Sequence, residues 1–217
     1  GNLDLGVAKS GSFSSSSYGY IVGGDYGGPS PSKTSNSQRV DYASDSSTAS
    51  PKGKITDTGY SISGVGDNNF GYSVGGQRPG ISSKVDRLDY SNDTAAAVAK
   101  GSLSETKYGN GSTGTNFYGY NAGGYTGSNV ALSEEYNGST WSEGNDIISA
   151  RKDFSGSGTQ TEGLIYGGNP TTNLTTETTG KINRMGSDRS TVVFVPIQQA
   201  RRNVNDPGDS AMPLALV

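Results

Sequence analysis

Large and small residues alternate in short runs along this chain. In Tyr18-Gly19-Tyr20-Ile21-Val22 and Phe70-Gly71-Tyr72-Ser73-Val74 a glycine separates two aromatic residues. That is the period of a strand with one bulky face and one face that a neighbour approaches closely. Such runs, each about 5–8 residues long, are separated by turn-forming clusters. Examples are Asp25–Pro31, Gly66–Asn69 and Asn137-Gly138. Gly, Ser, Thr and Asn are poor helix-interior residues, and the Ala-containing stretch Asp93–Val98 is too short to hold a helix alone. The pattern predicts an all-β chain.

The runs recur in register. A strand ending in paired glycines appears as YGYIVGG at Tyr18–Gly24, FGYSVGG at Phe70–Gly76, FYGYNAGG at Phe117–Gly124 and GLIYGG at Gly163–Gly168. The doublets Gly23-Gly24, Gly75-Gly76, Gly123-Gly124 and Gly167-Gly168 are spaced by 52, 48 and 44 residues. A second column carries an acidic residue before tyrosine: Asp41-Tyr42, Asp89-Tyr90 and Glu135-Tyr136. A third follows at Thr48–Ile55, Thr94–Leu103 and Thr140–Ile147, and a small-residue strand closes each unit at Gly59–Gly66, Tyr108–Gly114 and Phe154–Thr159. Columns that keep one order at a spacing near 48 predict repeated four-stranded sheets. The units run approximately over 6–57, 58–106, 107–150 and 151–199, with 200–217 as a partial repeat or C-terminal extension. Asn2–Leu5 is expected as an outer strand ahead of the first small-residue strand. Thr176–Arg184 and Thr191–Ile197 are expected as the last two strands of the fourth unit, VVFVP being a buried anchor. Arg201-Arg202-Asn203 resembles Arg151-Lys152-Asp153, and Ala211–Val217 falls where a doublet strand belongs, without its glycines.

The order of small-residue strand, Tyr-X-X-Gly-Gly, acidic-Tyr and Trp-containing strand resembles the kelch repeat. Glu134–Phe154 is the best match, with Trp141 at the kelch tryptophan position and Ala49 and Ala95 near its place in the first two units. The resemblance implies a small β-propeller of four kelch-like four-stranded blades plus a partial fifth, closed or as an open blade array. Segments such as VDRLDYSNDTAAA at Val85–Ala97 also resemble repeats in structural and tail-associated proteins of bacteriophages, marine ones especially, over roughly residues 18–168. That likeness implies a virion component, or an extracellular protein if the chain is of cellular origin.

Composition narrows the chemistry. There is no Cys and no His among 217 residues, which removes Ser-His-Asp and Cys-His nucleophile systems, disulfides and thiolate ligands. With 17 basic and 20 acidic residues the net charge is −3, giving no electrostatic reason to expect nucleic acid or an anionic membrane as partner. No apolar run reaches the length of a membrane span, about 18 residues. Gly1–Gly6 shows neither a basic nor an apolar leader region.

The carboxylates that remain, Asp41, Asp89 and Glu135, sit at one repeated position and are expected to hold turn amides or pair with Arg39 and Arg87. Asp67-Asn68-Asn69 has calcium-ligand oxygens without the spaced loop and reads as a turn. The doublet glycines are expected to end strands with left-handed backbone. Loop residues near the doublets, Tyr26, Arg78, Tyr125 and Asn169, are the candidate binding residues, the tyrosines as platforms for sugars. Asn-X-Ser/Thr triplets occur at Asn92, Asn110, Asn137 and Asn173. No cofactor, no metal and no enzymatic activity are expected. The partners expected are other virion proteins and host-surface glycan, met by several copies of the chain.

Overall fold

The computed structural model describes residues 1–28, 32–44, 46–114, 119–147, 149–158, 162–170, 181–186 and 194–196. Four antiparallel sheets follow one another, each with four strands in chain order. The first contains β1 (Gly11–Ser14), β2 (Tyr18–Val22), β3 (Ser37–Asp41) and β4 (Ser50–Lys52). The second contains β5 (Ser63–Gly66), β6 (Phe70–Val74), β7 (Val85–Asp89) and β8 (Val98–Lys100). The third contains β9 (Gly111–Gly114), β10 (Gly119–Ala122), β11 (Ser133–Tyr136) and β12 (Trp141–Glu143). A short strand, β13 (Arg151–Lys152), precedes β14 (Ser155–Gly158) and β15 (Glu162–Tyr166), and pairs with β16 (Asn169–Pro170). The strands β17 (Lys181–Gly186) and β18 (Phe194–Pro196) complete the fourth sheet with β14 and β15.

Each of the first three sheets has a front face carrying the larger doublet-strand residues, and behind its doublet strand a glycine, Gly19, Gly71 or Gly119, on the back face. The front of one sheet packs on the back of the next. Phe13, Tyr20 and Val22 of the first sheet cluster with Ile62, Leu88 and Ala97 of the second unit, and Tyr20 stacks on Tyr90 at 4.7 Å between ring centroids. Val65, Tyr72, Val74 and Val85 of the second meet Tyr136 and Trp141 of the third, with Leu103 from the segment between them, Tyr72 lying 5.4 Å from Tyr136. Ala122 of the third meets Ile147, Phe154 and Ile165 of the fourth. Three interfaces thus repeat one front-to-back arrangement.

Glycine is needed where the sheets come closest. A Cβ on Gly71 would lie 2.1 Å from the Phe13 ring, and one on Gly64 would lie 2.1 Å from the Ser12 carbonyl oxygen. The small-residue strands β1, β5, β9 and β14 are therefore edge strands set side by side. They open each sheet, as the units beginning at 58, 107 and 151 place them, and do not close it as the order of the columns suggests.

Two further expectations change. Asn2–Leu5 forms no strand; the Leu5 backbone instead makes two hydrogen bonds of 2.8 Å with the Gln38 side-chain amide, and the Asn2 carbonyl accepts from Ala49 N–H. Pairing of Arg39 with Ser50, Arg87 with Val98 and Glu135 with Ser142 puts Trp141 in register with Ala49 and Ala97, so Ala97 and not Ala95 takes the tryptophan's place. Both alanines are buried. The expected anchor VVFVP lies partly outside the described residues, as do Asn173 and 197–217.

Asp93, in the turn after β7, ties the first two sheets together. It accepts from the Tyr20 hydroxyl (3.0 Å), pairs with Arg39 (2.7 Å) and Lys52 (3.2 Å), and its carbonyl accepts from Gly53. Burial, with the Asp93 carboxylate beside it, pushes the Tyr20 phenol far above its ordinary value. Burial raises Tyr90 likewise and pushes Tyr72 up to about 12. A phenol whose pKa is higher folded than unfolded contributes stability that is complete below the unfolded value, about 10, and declines as pH climbs through the folded value. Spectrophotometric titration should therefore show late-titrating tyrosines and a stability loss that starts above pH ~10. Ionisation of all 13 tyrosines in one step near pH ~10 with the fold intact contradicts this packing. Gly64→Ala should lower stability by about 1–3 kcal/mol because the facing atom is backbone. Gly80→Ala, with open space at its Cβ, is the control and should be neutral in chemical denaturation.

Candidate binding surface at the glycine-doublet end

Every doublet turns the chain at the same end of its sheet. Gly23, Gly24 and their counterparts through Gly168 all have positive φ, from 54° to 113°, a region open to glycine at little cost. The second glycine of each of the first three doublets donates to the next unit: Gly24 to Gly59 O, Gly76 to Lys107 O and Gly124 to Arg151 O, at 2.7–2.8 Å. The residue after each doublet then pairs back across the turn, as Ala8 with Asp25, Tyr60 with Gln77, Tyr108 with Tyr125, and Lys152 with Asn169.

These bridges set aromatic rings and ammonium groups in a row. The Tyr60 ring has Lys9 Nζ at 5.5 Å and Lys33 Nζ at 5.3 Å from its centroid. The Tyr108 and Tyr125 rings lie 5.2 Å apart and share Lys152, whose Nζ is 4.6 Å from Tyr125. Such contacts hold a ring and a cation together in partly wet surroundings. A row of this kind offers ring faces to the C–H faces of a sugar and ammonium groups to its hydroxyls or carboxylates.

Of the four binding residues expected from sequence, Tyr125 belongs to this row. Tyr26 is 52% exposed at the same end. Asn169 is exposed, its carbonyl accepting from the Asn129 side chain at 2.9 Å. Arg78 is 1% exposed and faces inward. It pairs with Asp86 at 2.6 Å, and its guanidinium also donates to Gly75 O and Ser73 Oγ. Lys9, Lys33, Tyr60, Tyr108 and Lys152 were missed. The signal was present, since Tyr60 and Tyr108 are 48 residues apart, the spacing of the second and third doublets.

A concavity of about 500 Å³ is bordered by all four small-residue strands, with Ser14, Gly66, Gly114 and Gly158 at matched positions. Ile21, Val40 and Tyr42 of the first sheet's back face form its side wall. Tyr42, Tyr90 and Tyr136 share one sequence column but differ in environment. Tyr90 packs on Tyr20, Tyr136 is buried against Trp141 at 5.1 Å, and Tyr42 is 54% exposed. Among the described residues no sheet covers the first sheet's back face, which is why Tyr42 alone faces outward.

The ionisable groups inside the stack hold structure together. Gln38, Asp86 and Glu134 occupy one back-face position, and each grips the segment leading into its own unit. Gln38 holds Leu5, Asp86 accepts from Thr56 Oγ1 at 2.7 Å, and Glu134 accepts from Ser104 N–H at 2.6 Å. Asp86 is balanced by Arg78; Glu134 is balanced by Lys107 at 2.6 Å, both side chains fully buried. Burial pulls the Lys107 amine below its usual value against the opposing pull of Glu134. Asp41 accepts from Ala43 N–H, and Asp89 from Ser91 N–H and Oγ, the latter bonds holding its carboxyl below the usual range. Glu135 lies on the front-face side of β11, beside Gly144. Asp67 accepts from Asn69 and Phe70 N–H as a turn, and no group of three or more metal-ligating side chains occurs among the described residues. Asn110, one of the four glycosylation triplets, is buried.

Breaking a buried pair leaves one charge uncompensated. Asp86→Ala should therefore cost about 3–5 kcal/mol, whereas Tyr26→Ala should stay within about 0.5 kcal/mol. Equilibrium urea denaturation decides; an Asp86→Ala variant as stable as the parent contradicts the buried pair.

Comparison of the sequence with protein-family models gives no match, and comparison with curated proteins gives none.

Proposed function

We propose that the chain is a β-propeller of kelch-like blades, four and the start of a fifth. In this reading it is a non-enzymatic structural and adhesion component of a bacteriophage particle, associated with the tail or a fibre. The observation that carries the propeller reading is the single cleft bordered by β1, β5, β9 and β14. Sheets stacked front to back whose small-residue edges line one cleft fit the arrangement of blades about an axis. The non-enzymatic reading is supported by where the interior carboxylates are committed, Asp86 and Glu134 to buried cations and Asp93 to Tyr20, Arg39 and Lys52. The likeness of Val85–Ala97 and its neighbours to phage tail-associated repeats supports the virion assignment. In the particle, several copies present the doublet end to other virion proteins or to host glycan. Immunogold electron microscopy on purified particles, with mass spectrometry of their proteins, should find the chain at the tail. Intact particles without it overturn the assignment.

The runner-up is an extracellular carbohydrate-binding propeller of cellular origin, favoured by the row of Tyr60, Tyr108 and Tyr125 with its lysines. On a glycan array the recombinant chain should then bind sugars through this end. Tyr125→Ala should weaken binding by about 1 kcal/mol or more, with the chain still folded by circular dichroism. A flat array removes the glycan reading and leaves the virion assignment untouched.

A further inference from the structure

Lys107 lies in the segment that leads into the third unit, just ahead of β9. Its side chain and that of Glu134 are fully buried, with Nζ 2.6 Å from Oε2. Glu134 stands directly across from Asn121 in the β10–β11 ladder, so these two side chains share the back face of the third sheet. Asn121 is fully buried as well. An amine, a carboxylate and a carboxamide are thus collected at one place without solvent exposure.

Three polar atoms there lack what burial normally demands. Lys107 Nζ, Glu134 Oε2 and Asn121 Oδ1 have no well-directed hydrogen bond among the described residues, whereas buried polar groups are nearly always satisfied. The other ends of the two acceptor groups are held firmly. Glu134 Oε1 accepts from Ser104 N–H at 2.6 Å, and Asn121 Nδ2 donates to Ser112 Oγ at 2.9 Å. Burial also pulls the Lys107 amine below its usual value, which favours the neutral form that acts as a nucleophile.

The second unit has the same place without this chemistry. Ser73 and Asp86 pair across β6 and β7 as Asn121 and Glu134 pair across β10 and β11. Arg78 donates to both, to Asp86 at 2.6 Å and to Ser73 Oγ at 3.2 Å. A guanidinium stays protonated, and a serine side chain offers no carbonyl to attack. The third unit puts an amine where the second has a guanidinium and a carboxamide where the second has a hydroxyl. Both changes run in the direction an acyl transfer needs.

We propose that Lys107 and Asn121 are joined by an isopeptide bond, which the folded chain forms by itself with Glu134 as the proton carrier. The Lys107 ammonium passes one proton to Glu134 Oε2, and the Nζ lone pair attacks Asn121 Cγ. The Nζ–Cγ bond forms and the Cγ–Nδ2 bond breaks; Nδ2 takes a second amine proton and leaves as ammonia. Glu134 keeps the first proton, and its Oε2–H then has the Asn121 Oδ1 carbonyl as acceptor. The reactants bury two charges and the product buries none, which lightens the cost of their desolvation. Holding the groups together in the fold supplies the proximity the reaction requires. In a chain without cysteine the bond is a covalent brace between the segment entering the third unit and β10. It is independent of what the array binds.

Intact-mass spectrometry of the full chain tests it. The parent should be lighter than its sequence mass by one ammonia, and digestion should release a branched peptide joining Lys107 to Asn121. Lys107→Arg and Asn121→Ser introduce the residues that other units carry at the matched positions, Arg151 and Ser73. Both variants should fold by circular dichroism and show the full sequence mass. Glu134→Gln, which cannot carry the proton, should show it too. A folded parent at its full sequence mass overturns the bond. So does a loss of ammonia that persists in Asn121→Ser, which would place it at a succinimide of Asn137-Gly138.

Discussion

The closeness of neighbouring sheets at their small-residue edges governs this structure. Where β1 faces β5, the Ser12 carbonyl occupies the space a Gly64 side chain would need, and Gly156 meets the Ser112 carbonyl in the same way between β9 and β14. Only residues with almost no side chain allow that approach, so the glycine content is a packing requirement. Elsewhere between the sheets aromatic and branched side chains fill the space: Phe13, Tyr20 and Tyr90 at the first interface, Tyr72, Tyr136 and Trp141 at the second. Aromatic side chains bury large areas with defined ring geometry, which explains how a chain with 30% hydrophobic residues builds a core.

Polar groups inside the stack follow from the same geometry. A sheet whose back face must accept the next front face still has to secure the segment that leads into it. Gln38, Asp86 and Glu134 perform that task by gripping Leu5, Thr56 and Ser104. The neutral member needs no counter-ion, and the two acids draw on cations from different places, Arg78 just after a doublet and Lys107 just before a strand. At the doublet end the same stacking brings together Tyr60, Tyr108 and Tyr125 with their lysines.

Much of this was legible in the sequence because it depends on period. The doublets, the acidic-tyrosine column and the small-residue strands fix strand identity and order, and the spacing separates one sheet from the next. The buried ion pairs were not legible. Arg78 reads as a loop cation after Gly75-Gly76, and only the fold shows it reaching back to Asp86. Tyr42, Tyr90 and Tyr136 look alike in sequence, yet packing leaves Tyr42 on the surface, half-buries Tyr90 and buries Tyr136. Asn2–Leu5 reads as an outer strand from its place ahead of Gly11–Ser16, but the Leu5 backbone bonds the Gln38 side chain and the Asn2 carbonyl accepts from Ala49 N–H, so no ladder forms.

Matched positions facing each other across successive sheets is the claim on which the rest depends, and nuclear Overhauser contacts between assigned tyrosine rings measure it directly. Cross-peaks should join Tyr20 to Tyr90 and Tyr72 to Tyr136, whose centroids lie 4.7 and 5.4 Å apart. Tyr90→Phe and Tyr136→Phe fix the assignments without removing the rings. A folded protein in which neither pair is joined contradicts the front-to-back stack.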